Sequence, residues 1–349
     1  KGLVGSEMCI RDRCRADINT GEVEVLIEER MNTYIETRPL YLIKNETEMI
    51  HWSEKDGWAH FYRHDINGNL LNRITSGPFH SDNIKYYDQK SNFLFFSAHG
   101  VNKEIDPYYE HTYKISLNGG VPKLLNKGDF NTITYPSDNH KFFVNNFSRV
   151  NTTPKSNLIN SDGSVIMNLE TADLSALFES GYKFPETFKA KADDGITDLY
   201  GVIYKPFDFD ENKKYPLLEY VYPGPQTESV NKSFSVRMDR LDRMAQLGFI
   251  VITLGNRGGH PDRSKWYHNY GYGNLRDYGL ADKKYVAQQL ANRHDFIDIN
   301  RVGIYGHSGG GFMSTAAILV YPDFFKVAYS QAGNPVSYTH LRAHETLRY

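Results

Sequence analysis

The segment Gly306-His307-Ser308-Gly309-Gly310 restricts the fold of this chain more than any other feature. It has the pattern G-x-S-x-G, follows an apolar run at residues 301–305 and precedes a stretch of small and apolar residues at 312–319. This order predicts a strand, a sharp turn and a helix. The glycines allow a turn tight enough to expose the Ser308 hydroxyl, and the helix directs its free N–H groups toward developing negative charge. Ser308 is therefore a candidate nucleophile.

The two ends of the chain are related at the level of DNA. Residues 2–13 can be encoded by a string whose reverse complement, read in another frame, encodes residues 336–346. A match of eleven residues between opposite ends is not chance, and the string resembles the transposon-end adapter of a sequencing library. Such tails are excluded from fold reasoning. We expect residues 1–13 and 336–349 to be adapter-derived, and residues 14–335 to be an internal segment of a longer protein.

Composition excludes several classes of protein. Without the two tails the chain carries 35 Lys and Arg against 39 Asp and Glu, so no basic excess indicates a nucleic-acid partner. Cys14 is then the only cysteine, which leaves no disulfide, and no His, Asp or Glu cluster has metal-ligand spacing. We expect no cofactor and no metal. No apolar run approaches the roughly 18 residues of a membrane helix, so no membrane segment is predicted.

Between residues 21 and 170 the sequence consists of short β-type runs separated by Gly, Asn, Asp and Pro. Asn67-Gly68, Asn118-Gly119 and Asp162-Gly163 are pairs of the kind that closes two-residue hairpins. Their glycines are 51 and 44 residues apart, a period typical of β-propeller blades. A β-sandwich is the alternative that such strands allow. The sequence thus predicts a partial β-propeller over residues 14–185.

Strands alternate with helices in the remainder of the chain. A hairpin with Asp194-Gly195 at its turn is predicted at residues 189–204. Further strands are predicted at residues 215–222, 249–254, 301–305 and 325–330, and helices at 238–247, at 275–292 and after Ser308. Such alternation produces a mostly parallel sheet covered on both faces. The pattern is that of an α/β-hydrolase domain, which we place, in incomplete form, at residues 186–335.

Several motifs in this order resemble those of the prolyl oligopeptidase family of serine peptidases. They are Lys214-Tyr215-Pro216, Tyr220-Val221-Tyr222-Pro223-Gly224-Pro225, Gly255-Asn256-Arg257-Gly258 and the motif around Ser308. Blade segments at residues 52–58 and 106–111 are similar to dipeptidyl peptidase IV-like members. The resemblance covers nearly all of residues 14–335. It implies a peptidase of short peptides, a propeller that limits access to the site, a homodimer in the full-length protein, and a periplasmic or secreted location.

Single residues acquire roles from this resemblance. Ser308 would attack the scissile carbonyl to form an acyl-enzyme. The backbone N–H of Gly309, which follows the nucleophile, and the hydroxyl of Tyr222 would stabilise the oxyanion. Many close relatives carry an aromatic residue at the position of Gly309. The family places its acid and histidine beyond the genuine segment, so the fragment is expected to be inactive, and His340 and His344 in the tail are not candidates.

Some residues that suggest a function are expected to have none. His260 and His268 precede the serine, which is the wrong order for this fold, and are expected to be exposed or to line the cleft. Glu28-Glu29 resembles the pair that holds a substrate amine, but the family carries that pair further upstream. A solvated charge run is expected there. Residues 255–259 lack phosphate-loop spacing and predict a turn at the carboxyl edge of the sheet.

Three functions fit this sequence. The first, which we predict, is a dipeptidyl peptidase that releases N-terminal dipeptides through an acyl-enzyme on Ser308. The second is another hydrolase on the same scaffold, such as an oligopeptidase, an acylaminoacyl peptidase or an esterase. The third is a non-catalytic propeller protein with a degenerate hydrolase domain, which the intact set of Ser308, Gly309 and Tyr222 disfavours.

Overall fold

The chain folds into two compact units. The computed structural model describes residues 9–223, 227–235, 240–274 and 277–333. Among these residues, the first unit comprises 9–149, 154–172 and 262–269, and the second comprises 150–153 and the described residues within 173–261 and 270–333. The first unit thus includes a short segment, residues 262–269, that is flanked in the sequence by residues of the second unit. The sequence pattern places a domain boundary at 185/186, which stays a prediction.

The first unit consists of antiparallel sheets. Its strands are β1 (Ile10–Ala16), β2 (Val23–Arg30), β3 (Tyr41–Ile43), β4 (Glu48–Ser53), β5 (His60–Asp65), β6 (Leu70–Arg73), β7 (His80–Asp88), β8 (Phe93–His99), β9 (Glu110–Ser116), β10 (Lys123–Leu124), β11 (Asn131–Pro136), β12 (Phe142–Ser148), β13 (Lys155–Asn160) and β14 (Val165–Thr171). Strands β3–β6, β7–β10 and β11–β14 each form a four-stranded sheet, and β1 pairs with β2. Four consecutive strands per sheet is the organisation of a propeller blade, so the predicted partial β-propeller is confirmed.

The predicted turn glycines occupy the same place in each four-stranded sheet. Gly68, Gly119 and Gly163 lie between the third and fourth strands of their sheets, with φ of 88°, 93° and 87°. A Cβ atom on Gly68 would collide with the backbone of Leu26, and one on Gly163 with that of Leu125. Positive φ and close backbone approach both favour glycine. The period in the sequence is therefore the repeat of one structural unit.

Strand β1 contains residues 10–13, which the DNA relation assigns to the N-terminal tail. It pairs with β2 from Ile10 opposite Arg30 to Ala16 opposite Val23. Backbone pairing does not depend on the origin of the residues, so the adapter origin of this tail stays a prediction. The tail that begins at residue 336 lies outside the described residues.

The second unit is a mixed sheet with helices. Its elements are α1 (Ser175–Glu179), β15 (Glu186–Lys191), β16 (Asp198–Tyr204), β17 (Tyr215–Val221), α2 (Arg240–Ala245), β18 (Ile250–Leu254), α4 (Leu280–Arg293), β19 (Ile297–His307), α5 (Gly309–Val320) and β20 (Phe325–Gln331), while α3 (Lys265–His268) lies in the segment of the first unit. The sheet has the order β15-β16-β18-β17-β19-β20. Its last four strands are parallel, and β15 and β16 add an antiparallel edge. The predicted α/β-hydrolase pattern is confirmed.

Several elements begin or end at other residues than predicted. Strand β19 begins at Ile297 because Ile297 and Asp298 pair with the start of β17. Helix α4 begins at Leu280, and residues 275–276 of the predicted helix lie outside the described residues. The predicted helix at 238–247 is observed as the shorter α2, after the undescribed residues 236–239. Within the described ranges, none of the helices has the length and apolar character needed to cross a membrane.

Candidate active site

Ser308 lies at a strained junction between β19 and α5. Its φ is 54° and its ψ is −116°, a left-handed φ that residues with a side chain rarely adopt. The N–H of Ser308 donates to the carbonyl of Gln331 at 2.8 Å, and its own carbonyl accepts from Phe312 at 3.0 Å. The side chain is half-buried. The sharp turn expected from G-x-S-x-G is therefore present, and hydrogen bonds on both sides hold it.

Two glycines bring this junction against the end of β17. Val221 lies opposite Gly306 in the parallel pairing of β17 with β19. A Cβ atom on either Gly306 or Gly310 would collide with the carbonyl oxygen of Val221. The same position at Gly310 is 3.5 Å from the Cα of Tyr222. The small residues around Ser308 therefore set the distance between the junction and Tyr222 as well as the sharpness of the turn.

Ser308, Gly309 and Tyr222 meet at the carboxyl edge of the sheet. Tyr222 follows the last residue of β17 and is half-buried. Gly309 is the first residue of α5, where backbone N–H groups have no partner inside the helix. The carboxyl ends of parallel strands are where open α/β sheets bind ligands. The N-terminus of α5 and the backbone of Tyr222 thus both lie beside the junction at Ser308.

Tyr278 holds the backbone next to Tyr222, at Pro223, and no sequence motif identified it. Its hydroxyl donates to the carbonyl of Pro223 at 2.9 Å. Its ring lies so close to Gly258 and Gly271 that a Cβ atom on either glycine would contact it. Burial raises the pKa of Tyr278 well above its usual range, and the nearby Glu228 carboxylate adds to this. The phenol therefore stays protonated and keeps donating to the loop.

The loop at residues 255–258 follows β18, as predicted, and is anchored by an ion pair. The Arg257 guanidinium contacts the Asp282 carboxylate at 2.7 Å and Asp194 at 3.2 Å. Asp282 is fully buried and also accepts from the backbone N–H groups of Asp193 and Arg257. Charged groups that are bound in this way position backbone rather than ligands. Asp282 was missed because it lies 25 residues after Arg257 in the chain.

A second ionisable pair lies under the same edge. Glu219 on β17 is fully buried, and neither of its carboxylate oxygens has a hydrogen-bond partner among the described residues. The Lys283 ammonium is 3.8 Å from it and donates to the Leu254 carbonyl. Burial raises the pKa of Glu219 to about 7, although the charge of Lys283 opposes the shift. Burial lowers the pKa of Lys283.

Two expectations about polar residues were wrong. His268 is buried, not exposed, because residues 262–269 fold into the first unit, where its Nε2 is 2.7 Å from Glu54. Glu29 is also buried and accepts a hydrogen bond from Ser53, so it is not a solvated charge. Its neighbour Glu28 is exposed, as expected.

Comparison with known proteins identifies the chain. The family model described as the dipeptidyl peptidase IV (DPP IV) N-terminal region matches residues 9–154, and that of the prolyl oligopeptidase family matches residues 234–346. The chain is a dipeptidyl peptidase IV-like member of the prolyl oligopeptidase family. Its two matched regions fall in the order predicted from the sequence.

The names of individual proteins similar to this chain are consistent with this family. Human dipeptidyl peptidase 8 is 40% identical over 157 residues, which are 45% of this chain and 17% of that protein. An Aspergillus terreus protein assigned as a dipeptidyl-aminopeptidase B is 29% identical over 239 residues, 65% of this chain and 24% of that protein. This family member therefore spans a minor part of the curated relatives it matches.

Solved structures share its fold. A Bacteroides ovatus protein assigned as a dipeptidyl aminopeptidase IV matches with a TM-score of 0.79 and 25% identity, over 92% of this chain and 48% of that chain. Porphyromonas gingivalis dipeptidyl peptidase 4 matches with a TM-score of 0.79 and 24% identity, over 91% of this chain and 44% of that chain. Nearly all of this family member thus has a counterpart in about half of each structure.

Proposed function

We propose that the full-length protein is a serine-type peptidase that releases dipeptides from the N-termini of short peptides. The Ser308 hydroxyl attacks the scissile carbonyl and loses its proton to a base, the peptide nitrogen leaves as an amine, and water hydrolyses the resulting ester. The Gly309 N–H and the Tyr222 hydroxyl donate to the oxyanion of each tetrahedral intermediate. The names of the relatives support the dipeptidyl specificity.

One observation supports this proposal above the others. Ser308 has a left-handed backbone at a strand-to-helix junction, and Gly310 allows the segment of Tyr222 to approach that junction closely. A purely structural turn gains nothing from strain at a serine, whereas a nucleophile needs its hydroxyl exposed beside its oxyanion donors. A non-catalytic protein would not need both the strained serine and the close approach of the Tyr222 segment.

The acid and the base of the triad are proposed to lie beyond residue 335. Throughout the described part of the chain, Ser308 Oγ makes no side-chain hydrogen bond to a histidine or a carboxylate. Without a base, a serine hydroxyl is a weak nucleophile at neutral pH. We therefore propose that the 349-residue chain is inactive by itself and that activity requires the full-length protein.

The remaining assignments extend the same proposal. Residues 14–185 would be the end of a propeller that limits access to short peptides, and residues 186–335 the start of the catalytic domain. Residues 1–13 and 336–349 would be adapter-derived. A homodimer and a periplasmic or secreted location are what the family suggests for the full-length protein.

A covalent probe tests the proposal. The full-length protein, recovered with its complete reading frame, is treated with a fluorophosphonate, and the labelled peptide is identified by mass spectrometry. We expect labelling at Ser308 and none in Ser308→Ala. Ser180→Ala is the control, because Ser180 is an exposed serine of the same unit. A wild-type protein that is folded and unlabelled would be a non-catalytic propeller protein, against our proposal.

Substrate choice separates the remaining alternatives. Release of dipeptides from Xaa-Pro and related peptides with a free amine is the expected result. Preference for N-acetylated peptides would indicate an acylaminoacyl peptidase, cleavage inside longer peptides an oligopeptidase, and hydrolysis of simple esters alone an esterase. Each of these results would keep Ser308 as the nucleophile and reject the dipeptidyl specificity.

A further inference from the structure

His80, in the first unit, is a buried histidine without a hydrogen-bond partner. Its side chain is inaccessible to solvent, and neither ring nitrogen has a partner within the described ranges. Its Nε2 is 3.8 Å from the Asp82 Oδ1, which is too far for a hydrogen bond. Buried polar groups of native proteins are nearly always satisfied, so two orphaned nitrogens on one ring need an explanation. A bound cation is one such explanation.

Strand register places other ligand types beside His80. His80 lies opposite His99 across β7 and β8, and His99 lies opposite Glu110 across β8 and β9. Directly opposed residues of antiparallel strands point to the same face of the sheet. Asp82 joins this row, since one ligand atom from each of Asp82, His99 and Glu110 lies within 4.8 Å of the others. The cluster therefore offers imidazole and carboxylate ligands on one face.

His99 is oriented as a ligand would be. Its Nδ1 is 3.1 Å from the carbonyl oxygen of Tyr108 and 3.5 Å from the carboxylate of Asp262. Since a carbonyl oxygen only accepts, Nδ1 carries a proton, which makes Nε2 of the neutral ring the atom that can bind a metal. Metal-bound histidines usually donate their second N–H to a carbonyl or a carboxylate, which fixes the ring.

The charges of the cluster decide which ion fits. Arg38 contacts the Asp82 carboxylate at 2.5 Å, and Lys85 contacts the Glu110 carboxylate at 3.1 Å. These contacts already neutralise much of the negative charge that a hard ion such as Ca²⁺ or Mg²⁺ requires from oxygen ligands. A ligand set of two imidazoles and two carboxylates suits Zn²⁺ better.

We propose that Asp82, His99 and Glu110 bind one Zn²⁺ ion, and that His80, whose Nε2 is 3.8 Å from Asp82, turns to become the fourth ligand. Zinc needs ligands at about 2.0–2.2 Å. If the three clustered ligand atoms of Asp82, His99 and Glu110 were the full 4.8 Å apart, their centre would lie about 2.8 Å from each, so shifts of about 0.7 Å would bring these three atoms to bonding distance. The ion would tie together three neighbouring strands of one blade. Sequence spacing did not reveal the site because its residues come from separate strands.

Metal titration tests the proposal directly. The 349-residue chain is prepared metal-free, with Cys9→Ser, Cys14→Ser, His340→Asn and His344→Asn to remove competing ligands near its ends. Circular dichroism verifies folding, calorimetry follows Zn²⁺ binding, and visible absorption follows Co²⁺ as a spectroscopic substitute. We expect one Zn²⁺ per chain and a Co²⁺ spectrum of nitrogen and oxygen ligands. Folded protein that binds no stoichiometric Zn²⁺ would overturn the proposal.

Variants assign the ligands. His99→Asn and Glu110→Gln should each weaken Zn²⁺ binding by about tenfold or more. Glu110 is 20% exposed, so its variant tests the site even where a buried histidine variant fails to fold. His60→Asn is the matched control, because His60 is equally buried but both its ring nitrogens already have partners, Thr75 and Gly77. Equal affinity in Glu110→Gln and the control would reject this ligand set.

Discussion

At the scale of single residues, the strain at Ser308 explains what its neighbours must be. A left-handed backbone costs a residue with a side chain about 1–3 kcal/mol, so the surrounding structure must over-determine it. Here a hydrogen bond to Gln331 and the tight contact of Gly306 and Gly310 with Val221 do so. Gly310→Ala would push the junction away from Tyr222. The backbone strain at Ser308 and its place beside Tyr222 therefore depend on the glycines of the motif as well as on the serine itself.

The hydroxyl of Tyr222 should matter to the reaction and little to folding. In the full-length protein, Tyr222→Phe should lower kcat by roughly 10²–10³-fold, as for removal of one oxyanion donor. Tyr220→Phe is the matched control, because Tyr220 lies in β17 two residues before Tyr222 and packs on Tyr305 against the apolar core. Steady-state kinetics on a dipeptide substrate provide the measurement. Equal rates in the two variants would remove Tyr222 from the oxyanion hole.

Glu219 should make stability depend on pH. Its pKa is about 7 in the folded chain against an ordinary 4.5, so the folded state binds more protons between these values. The contribution of Glu219 to the free energy of unfolding should therefore fall as pH rises from about 4.5 to 7, by about 3 kcal/mol at most. Glu219→Gln should remove this contribution, so between pH 5 and pH 7 the variant should gain stability relative to the wild type.

Denaturant unfolding of the 349-residue chain at pH 5 and pH 7 measures this effect. Glu186→Gln, an exposed change of the same charge, should retain the slope of the wild type. If Glu219→Gln and the wild type lose the same free energy over this interval, then Glu219 is ionised in the folded chain at pH 5, and its pairing with Lys283 is tighter than its separation of 3.8 Å indicates.

At the scale of elements, Tyr278 connects the start of α4 to the end of β17. It donates to the carbonyl after Tyr222, so Tyr278→Phe should lower kcat of the full-length protein by about tenfold through misplacement of the Tyr222 hydroxyl. A double-mutant cycle distinguishes this from general damage. In a Tyr222→Phe background the second change should have little further effect. Tyr285→Phe, on the exposed side of α4, is the control, and additive losses would show that Tyr278 does not act through Tyr222.

The sequence predicted those features of the fold that depend on residues close together in the chain. Turn glycines at residues 68, 119 and 163, the alternation of strands and helices, and the junction at Ser308 all depend on neighbours in the chain. Contacts between distant residues were not predicted. Contacts such as Asp282 with Arg257, Tyr278 with Pro223 and His80 opposite His99 depend on strand order and register, which no single stretch of sequence encodes.

At the scale of the whole molecule, residues 262–269 connect the two units covalently. The chain leaves the second unit at residue 261, contributes this segment to the first and returns at 270. Within the first unit, Glu54 accepts from His268 at 2.7 Å and lies 3.3 Å from the Lys265 ammonium, which also donates to the carbonyl of Tyr34 at 2.7 Å. Glu54 is 2% exposed. A buried carboxylate therefore holds the segment.

Removal of this charge should loosen the segment selectively. Glu54→Gln leaves Lys265 without its buried counter-ion, and breaking a buried pair costs about 3–5 kcal/mol. Amide hydrogen exchange of the peptide that contains residues 262–269 should accelerate at pH 7 by on the order of a hundredfold or more. The amide of Lys265, which donates to the Gly57 carbonyl, is the most direct probe. Glu104→Gln, an exposed change in the same unit, should leave this exchange unaltered.

The pH dependence of the segment separates a charge effect from a packing effect. Burial by itself would raise the pKa of Glu54, but the hydrogen bond with His268 and the charge of Lys265 outweigh it and hold the pKa below its ordinary 4.5. The contribution of Glu54 is therefore complete above pH 4.5 and is lost as pH falls through the lower folded value. After correction for intrinsic exchange rates, protection of residues 262–269 in the wild type should decline in acid, whereas Glu54→Gln should show no such decline. Parallel curves for the two proteins would mean that shape rather than charge retains the segment in the first unit.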